Sequence, residues 1–379
     1  MRKRIFKLHS YMALAAMLPL LLITLTGALL VFKFEIDALL MPDSVTLDHP
    51  DRMRQDMNTL LSTINSAFPD YELGSWELFH DGYEADRIYL IRKGTDEWFK
   101  VYFDPFNGQV LSQPVGLYSD FTDWLLQLHY TLLLNDLLEN HPLAGLLIVL
   151  GAALFMIFLG ITGLIIYRKF WRKFFTFDWG PRTSNNMRQL HRLIGIWASP
   201  VLLILGITGG YFNLMEYLEE AGEQGAAPSL MTDRLYNDKL DLQTILEDSK
   251  KQIEGFHPTY LLMPYEPGLG ITFYGEVPSS NPFASGYGST VTYDSQSGEL
   301  LHTYDIRDAG FCWNLVDSFR ALHFGDFGGL VSKLVWCLVG IGLAGMTLTG
   351  FYMWVSRKTG KSRSRKTRAV TPPVSPPSG

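Results

Sequence analysis

Four histidines carry the first hint of chemistry. His9, His129, His191 and His323 each follow a leucine, and each Leu-His pair stands at or leads into a long uncharged stretch. A neutral imidazole is a good metal ligand, and two imidazoles facing each other supply the axial positions of a low-spin haem iron. Of the nine histidines, His49, His80, His257 and His302 lie in polar segments and read as surface residues. His141 lies at the mouth of one uncharged stretch; it has no counterpart in the second half and ranks below His129. No HExxH, CxxC or clustered carboxylate–histidine spacing offers another metal site. Cys312 and Cys337 are the two cysteines of the 379 residues, too few for a disulfide scaffold.

The elements that must position these histidines come from the charge pattern. Charged residues make up 18% of the chain, below the roughly 25% usual in soluble domains. Stretches 10–32, 142–167, 193–215 and 334–355 carry no charge and have the length of about 20 residues that crosses a bilayer as a helix. The first outruns a signal-peptide core and lacks a cleavage site, so it reads as a retained anchor.

Three segments hold four, seven and seven of the 32 Lys and Arg, beside one acid, Asp178. They are the N-terminus, the loop between stretches two and three, and the tail. The positive-inside rule makes them cytoplasmic and leaves two large acidic segments outside. At net −6 with this distribution, nucleic acid is excluded as a partner class and membrane lipid is implied.

The chain repeats itself. LHSYMALAAMLPLLLITLTG at 8–27 aligns with LHRLIGIWASPVLLILGITG at 190–209 at an offset of 182. VYFDPFNGQVL at 101–111 answers VTYDSQSGELL at 291–301, each reading as a hairpin turning at Asn107-Gly108 or Ser297-Gly298. A helical stretch precedes each, near 58–68 and 242–253. The repeat unit is then span, outer sheet domain, second Leu-His, and a span closing in Thr-Gly.

This topology puts His9 and His191 at the inner face and His129 and His323 at the outer face. A pseudo-twofold axis along the membrane normal would pair them. At helical spacing below His9 come Ala13, Ala16, Leu20, Thr24 and Gly27; below His191 come Gly195, Ala198, Leu202, Gly206 and Gly209. These mostly small stripes leave room for a flat macrocycle. They equally let membrane helices pack closely without one. Arg188 and Arg192 inside, and Arg320 and Lys333 outside, are candidates to neutralise carboxylates of a haem, and the inner two also serve as membrane anchors.

The Leu-His…Thr-Gly spans, LHYTLLL at 128–134 and LHFGDFGGLVSKLVWCLVGIGLAGMTLTGFYMW at 322–354 resemble the PepSY-associated transmembrane helix family of bacterial inner-membrane proteins. The likeness covers nearly the whole chain. One departure is His141-Pro142, where similar proteins often carry Gly-Arg. The resemblance implies an iron-regulated protein of ferric-siderophore reductase type. It implies two haems b, one ligated by His9 and His191 and one by His129 and His323.

The expected fold is an α-helical membrane protein with four transmembrane helices in two pseudo-symmetric halves and two extracytoplasmic α+β PepSY-like domains. The map runs: first span 1–33, sheet domain 34–127, outer amphipathic segment and second span 128–170, inner loop 171–190, third span 191–215, second sheet domain 216–310, outer segment and fourth span 311–357, disordered tail 358–379. The expected activity is transfer of electrons from a cytoplasmic or quinol donor to a periplasmic ferric siderophore. No nicotinamide or flavin fingerprint is present: GITGGYF at 206–212 lies inside a span. Two other readings stand beside it: a cytochrome b-like subunit serving another partner, and a non-redox binding or regulatory module.

Overall fold

The computed structural model describes residues 2–49, 51–138, 140–167, 174–223 and 229–370; the side chains of 136 and 360–370 lie outside the description. The basic cluster at 168–173, part of the expected inner loop, and the last nine residues of the tail also lie outside it. In chain order the helices and strands begin with α1 (Arg2–Ala15), α2 (Met17–Leu30), α3 (Lys33–Leu40), α4 (Pro42–Val45) and α5 (Met57–Ala67). Five strands follow, β1 (Tyr71–Glu77), β2 (Asp86–Arg92), β3 (Trp98–Asp104), β4 (Gln109–Val110) and β5 (Val115–Gly116). Then come α6 (Phe121–Thr131), α7 (Leu134–Leu137), α8 (Ala144–Ile166), α9 (Thr183–Glu223) and α10 (Leu242–Gln252). The chain ends with β6 (His257–Leu262), β7 (Ile271–Glu276), β8 (Ser289–Tyr293), β9 (Leu300–Tyr304), α11 (Phe311–Phe324) and α12 (Gly329–Val370).

Among the described residues three helices, α8, α9 and α12, are long and apolar enough to cross a membrane. The first expected span is not one straight helix: α1 and α2 meet at a bend of 67° and make a fourth crossing only as a bent pair. Pro19 explains the break, because it has no N–H for the Ala15 carbonyl and its ring would crowd that group. Ala16, at the joint, has φ −90° and ψ 4°. Pro200 lies inside α9, which continues through it. The tail also departs from expectation. Helix α12 runs on to Val370, through a Lys- and Arg-rich stretch that favours helix and meets no proline before Pro372.

The chain divides into two compact units. The helical unit takes 1–31, 128–221 and 333–379. Its centre joins all four crossings: Ala16 and Leu20 from the bent pair, Ala152 and Met156 from α8, Ala198 and Leu202 from α9, and Leu343 from α12. Backbones approach closely at small residues. A methyl on Gly340 would lie 2.9 Å from the Ala28 Cβ, and one on Gly206 2.9 Å from Ile157 Cγ1. So part of the small stripe expected to flank a macrocycle packs helices instead.

The sheet unit takes 32–127 and 222–332. Its strands form one antiparallel sheet in the order β4-β3-β2-β1-β6-β7-β8-β9, with β5 on β3. The two outer segments were expected as two domains. They share one sheet because β1 pairs antiparallel with β6, Trp76 opposite Leu261. One core runs beneath it, from Leu60, Ile64 and Trp76 to Leu242, Ile245 and Phe273.

The expected hairpins are present. Gly108 (φ 68°) and Gly298 (φ 74°) occupy the left-handed region that closes each loop. Asp104 and Asp294 accept backbone N–H bonds of those loops in matching positions. Helices α5 and α10 are capped by Asp56 and Asp241. Their first turns are cross-tied: Asn58 donates to the Asp241 carboxylate at 2.7 Å and accepts from Leu242 N at 2.8 Å. Bonds to Asn58 and Thr244 bring the Asp241 carboxyl down to about 2.

On the other face of the sheet, charges fix the start of α6. Lys100 of β3 reaches Asp120 at 2.7 Å and also pairs with Asp123. Lys33 of α3 reaches Asp37, Asp123 and Thr122, each at 2.8 Å. Lys100 and Asp123 are only 2% and 8% exposed. Burial works against the Asp123 carboxylate, but Lys33 and Lys100 outweigh it and hold its carboxyl below the usual range. Burial likewise works against the Lys100 ammonium, and Asp123 outweighs it, so Lys100 shifts upward.

Candidate functional site

Helices α1, α2, α8, α9 and α12 line a cavity of about 330 Å³ in the helical unit. That lies at the lower end of the size of ligand pockets, roughly 300–1,000 Å³. His9 and His191 both line it, with Ala13, Leu20, Gly163, Gly195 and Gly350 among the wall residues. So the structure brings the two inner histidines to one site. They reach it because each sits on the first part of a crossing helix, α1 and α9.

Each ring is held by its Nδ1. His9 Nδ1 lies 2.8 Å from Thr162 Oγ1, and that hydroxyl donates to the Phe158 carbonyl at 2.8 Å. His191 Nδ1 lies 3.0 Å from Thr349 Oγ1 and 3.1 Å from the Met346 carbonyl. A carbonyl only accepts, so Nδ1 of His191 carries the hydrogen and Nε2 keeps its lone pair. That tautomer is the one a metal takes at Nε2, with the second nitrogen tied to a protein acceptor.

Three arginines share the wall: Arg188, Arg192 and Arg357. Arg357 is steadied by a bond to Ser10 at 3.0 Å and lies 5.2 Å over the Phe6 ring. Arg192 donates to the Thr176 carbonyl at 3.0 Å, and its buried Nε has no partner among the described residues. Two imidazoles, a mostly apolar wall and cationic groups with unspent donor capacity fit a flat amphiphile with anionic arms. Among the described residues no group of three or more His, Cys, Asp and Glu gathers as a metal site. A haem iron takes only two ligands from protein, its other four being macrocycle nitrogens, so this donor set suits haem better than a bare cation.

His129 lies near the end of α6, with Nδ1 2.9 Å from Thr26 Oγ1. Thr26 in turn donates to the Leu22 carbonyl at 2.8 Å. Just beyond, Leu132 (φ 56°) and Leu133 (φ 57°) both sit in the left-handed region. This reversal is tied down by Asn135, which accepts from Gly145 N at 2.9 Å, and by Asn213, which donates to the Tyr130 carbonyl at 3.0 Å. His141 is exposed in the turn before α8. His323 belongs to the sheet unit, near the end of α11. One turn earlier, the Arg320 guanidinium lies 4.4 Å over Tyr287 and 4.9 Å over Phe324. His129 and His323 fall in different units.

The threonines were not singled out from the sequence as histidine partners, although the Thr-Gly closure of each span was plain. The signal available was depth: Thr162 and Thr349 end their spans at the face where His9 and His191 begin theirs.

A mixed helix-and-sheet membrane protein with a histidine-lined cavity among its crossing helices is the class these features define. The chain belongs to the family of the PepSY-associated TM region, whose match runs over residues 6–357. A relative in Pseudomonas aeruginosa, the uncharacterized protein PA4219, is 24% identical over 274 residues. The match spans 64% of this chain and 65% of that relative's length, just under two thirds.

Proposed function

We infer that this protein is a two-haem electron carrier of the bacterial inner membrane that reduces ferric siderophores on the periplasmic side. The observation that carries the reading is the shared cavity of His9 and His191, each ring held at Nδ1 so that Nε2 presents its lone pair. His9 and His191 would hold one haem b; His129 and His323 would hold the second, on the strength of the sequence repeat. When bound, haem supplies reversible one-electron transfer. The chain's own residues would bind and orient it: the imidazoles would ligate, the apolar wall would exclude water, and Arg188, Arg192 and Arg357 would meet its carboxylates.

The reading places both termini in the cytoplasm, where the basic segments lie, and the sheet unit in the periplasm. One electron, from a cytoplasmic or quinol donor, converts the Fe(III) of the chelate to Fe(II). Hard oxygen donors hold Fe(II) less tightly, so the metal is released. The protein is then an oxidoreductase in which no side chain need serve as acid, base or nucleophile.

The test is a reduced-minus-oxidised visible spectrum of detergent-purified protein, with haem counted by pyridine haemochrome. Two low-spin haems b per chain, reoxidised on addition of a ferric siderophore, are expected. Two haems that ignore the siderophore would favour a cytochrome b-like subunit with another acceptor. A colourless protein made with ample haem would overturn the reading in favour of a binding module.

A further inference from the structure

We propose that the Thr-Gly dipeptides are locks on the histidine tautomer, with Thr162 and Thr349 positioning His9 and His191 for ligation through Nε2. The proposal rests on the haem reading above. A hydroxyl has one hydrogen, and Thr162 spends it on the Phe158 carbonyl. What it turns toward His9 is a lone pair, so His9 Nδ1 must bring the hydrogen. At His191 the Met346 carbonyl enforces the same state independently. Thr26 repeats the arrangement at His129.

The glycine of each dipeptide faces the ring, and at Gly27 the fit leaves no room for a side chain. A methyl on Gly163 would lie 3.9 Å from His9 Cε1, on Gly350 3.5 Å from His191 Cε1, and on Gly27 2.9 Å from His129 Cε1. The threonine fixes one ring nitrogen at each site, and at His129 the glycine also lets the ring edge lie against the helix. Threonine in a membrane helix satisfies itself by bonding the carbonyl one turn back, as Thr24 and Thr347 do. That need alone does not place a histidine Nδ1 at the same oxygen three times, each time beside a glycine.

Two consequences follow for a bound haem. Losing the acceptor frees the ring to turn and weakens ligation; partners of this kind are typically worth 10- to 100-fold in metal affinity. Donating Nδ1–H to an acceptor also makes Nε2 more electron-rich, which favours the oxidised iron. Removing the acceptor therefore raises the midpoint potential. His9 has one such acceptor and His191 has two, so Thr162 matters more than Thr349.

The experiment compares full-length wild type, Thr162→Val, Thr162→Ser and Thr349→Val in detergent. Haem per chain, the rate of haem transfer to apomyoglobin, the electron paramagnetic resonance spectrum and the midpoint potentials are read. Thr162→Val is expected to lose one haem about 10-fold faster or more, with an altered resonance and a raised potential for that haem. Thr162→Ser should restore wild-type behaviour, and Thr349→Val should move less. Should Thr162→Val fail to accumulate, Thr162→Ala is read in its place. A haem-loaded wild type with a Val or Ala variant unchanged in retention, resonance and potential overturns this proposal alone. A haem-free wild type overturns the underlying reading first.

Discussion

Gly27 and His129 leave no room for a methyl between them: a Cβ on Gly27 would stand 2.9 Å from the ring's Cε1. The ring cannot swing aside without lengthening its 2.9 Å contact with Thr26. The corresponding glycines at the inner histidines are looser, at 3.9 Å for Gly163 and 3.5 Å for Gly350. Alanine also favours helix over glycine by about 1 kcal/mol. Gly163→Ala should therefore be neutral or stabilising, while Gly27→Ala should cost about 1–3 kcal/mol through overpacking. Denaturant unfolding in detergent, followed by tryptophan fluorescence, checks the ranking; a Gly27→Ala as stable as Gly163→Ala would refute it.

Lys100 is the keystone between β3 and the start of α6. Lys100→Ala should lower stability by about 3 kcal/mol, the low end for a broken buried pair, since Lys33 still faces Asp123. The pH dependence has a definite sign. Asp123 titrates below the ordinary carboxylate value of about 3.9, so its contribution is present at neutral pH and is lost as pH falls through the depressed value. Lys100 titrates above the ordinary lysine value, so its share is present at neutral pH and is lost only as pH rises through the elevated value. Melting curves from pH 3 to pH 8 should show the variant's deficit shrinking at the acid end, where the wild type loses the same pair. A deficit independent of pH would point to lost packing instead.

Arg357 should matter to whatever anionic group enters the cavity. Under the haem reading, Arg357→Gln removes one charge-assisted hydrogen bond, worth about 1.5 kcal/mol or roughly 10-fold in retention. Haem transfer to apomyoglobin measures it. Wild-type retention would mean that Arg357 serves only its contacts with Phe6 and Ser10.

The native cysteines report orientation. Cys312 is exposed near the start of α11, and Cys337 lies within α12. With the sheet unit in the periplasm, a membrane-impermeant maleimide should label Cys312 in intact cells and should not label a Cys312→Ser control. A Ser362→Cys variant in that background should react only after the membrane is opened. The reverse pattern would invert the proposed topology.

Much of this architecture was legible in the sequence, for local reasons. The crossings announce themselves by the absence of charge, and the two hairpins by the turn dipeptides Asn107-Gly108 and Ser297-Gly298. The break at Ala16 was in reach, since Pro19 stands in the middle of the run, yet Pro200 shows that a proline alone does not decide it. The β1–β6 pairing was not legible, because edge-to-edge pairing is carried by backbone groups that every residue possesses. Nor were the Thr–His contacts, which depend on how helices are rotated against each other. The helical course of α12 to Val370 was misread because Ser and Pro beyond it coloured the whole tail.

The join between β1 and β6 also sets a timetable. Trp76 and Leu261 are brought together across about half of the chain, with all of α8 and α9 lying between them in sequence. At translation rates of about 5–20 residues per second, the edge of β1 waits roughly 10–40 s for its partner. Throughout that interval a strand destined for the middle of a sheet is an outer edge, the kind of surface that recruits foreign strands. The nascent first half is thus the vulnerable species in this protein's biogenesis, and its shielding until the second half emerges is a task for the cell's folding machinery.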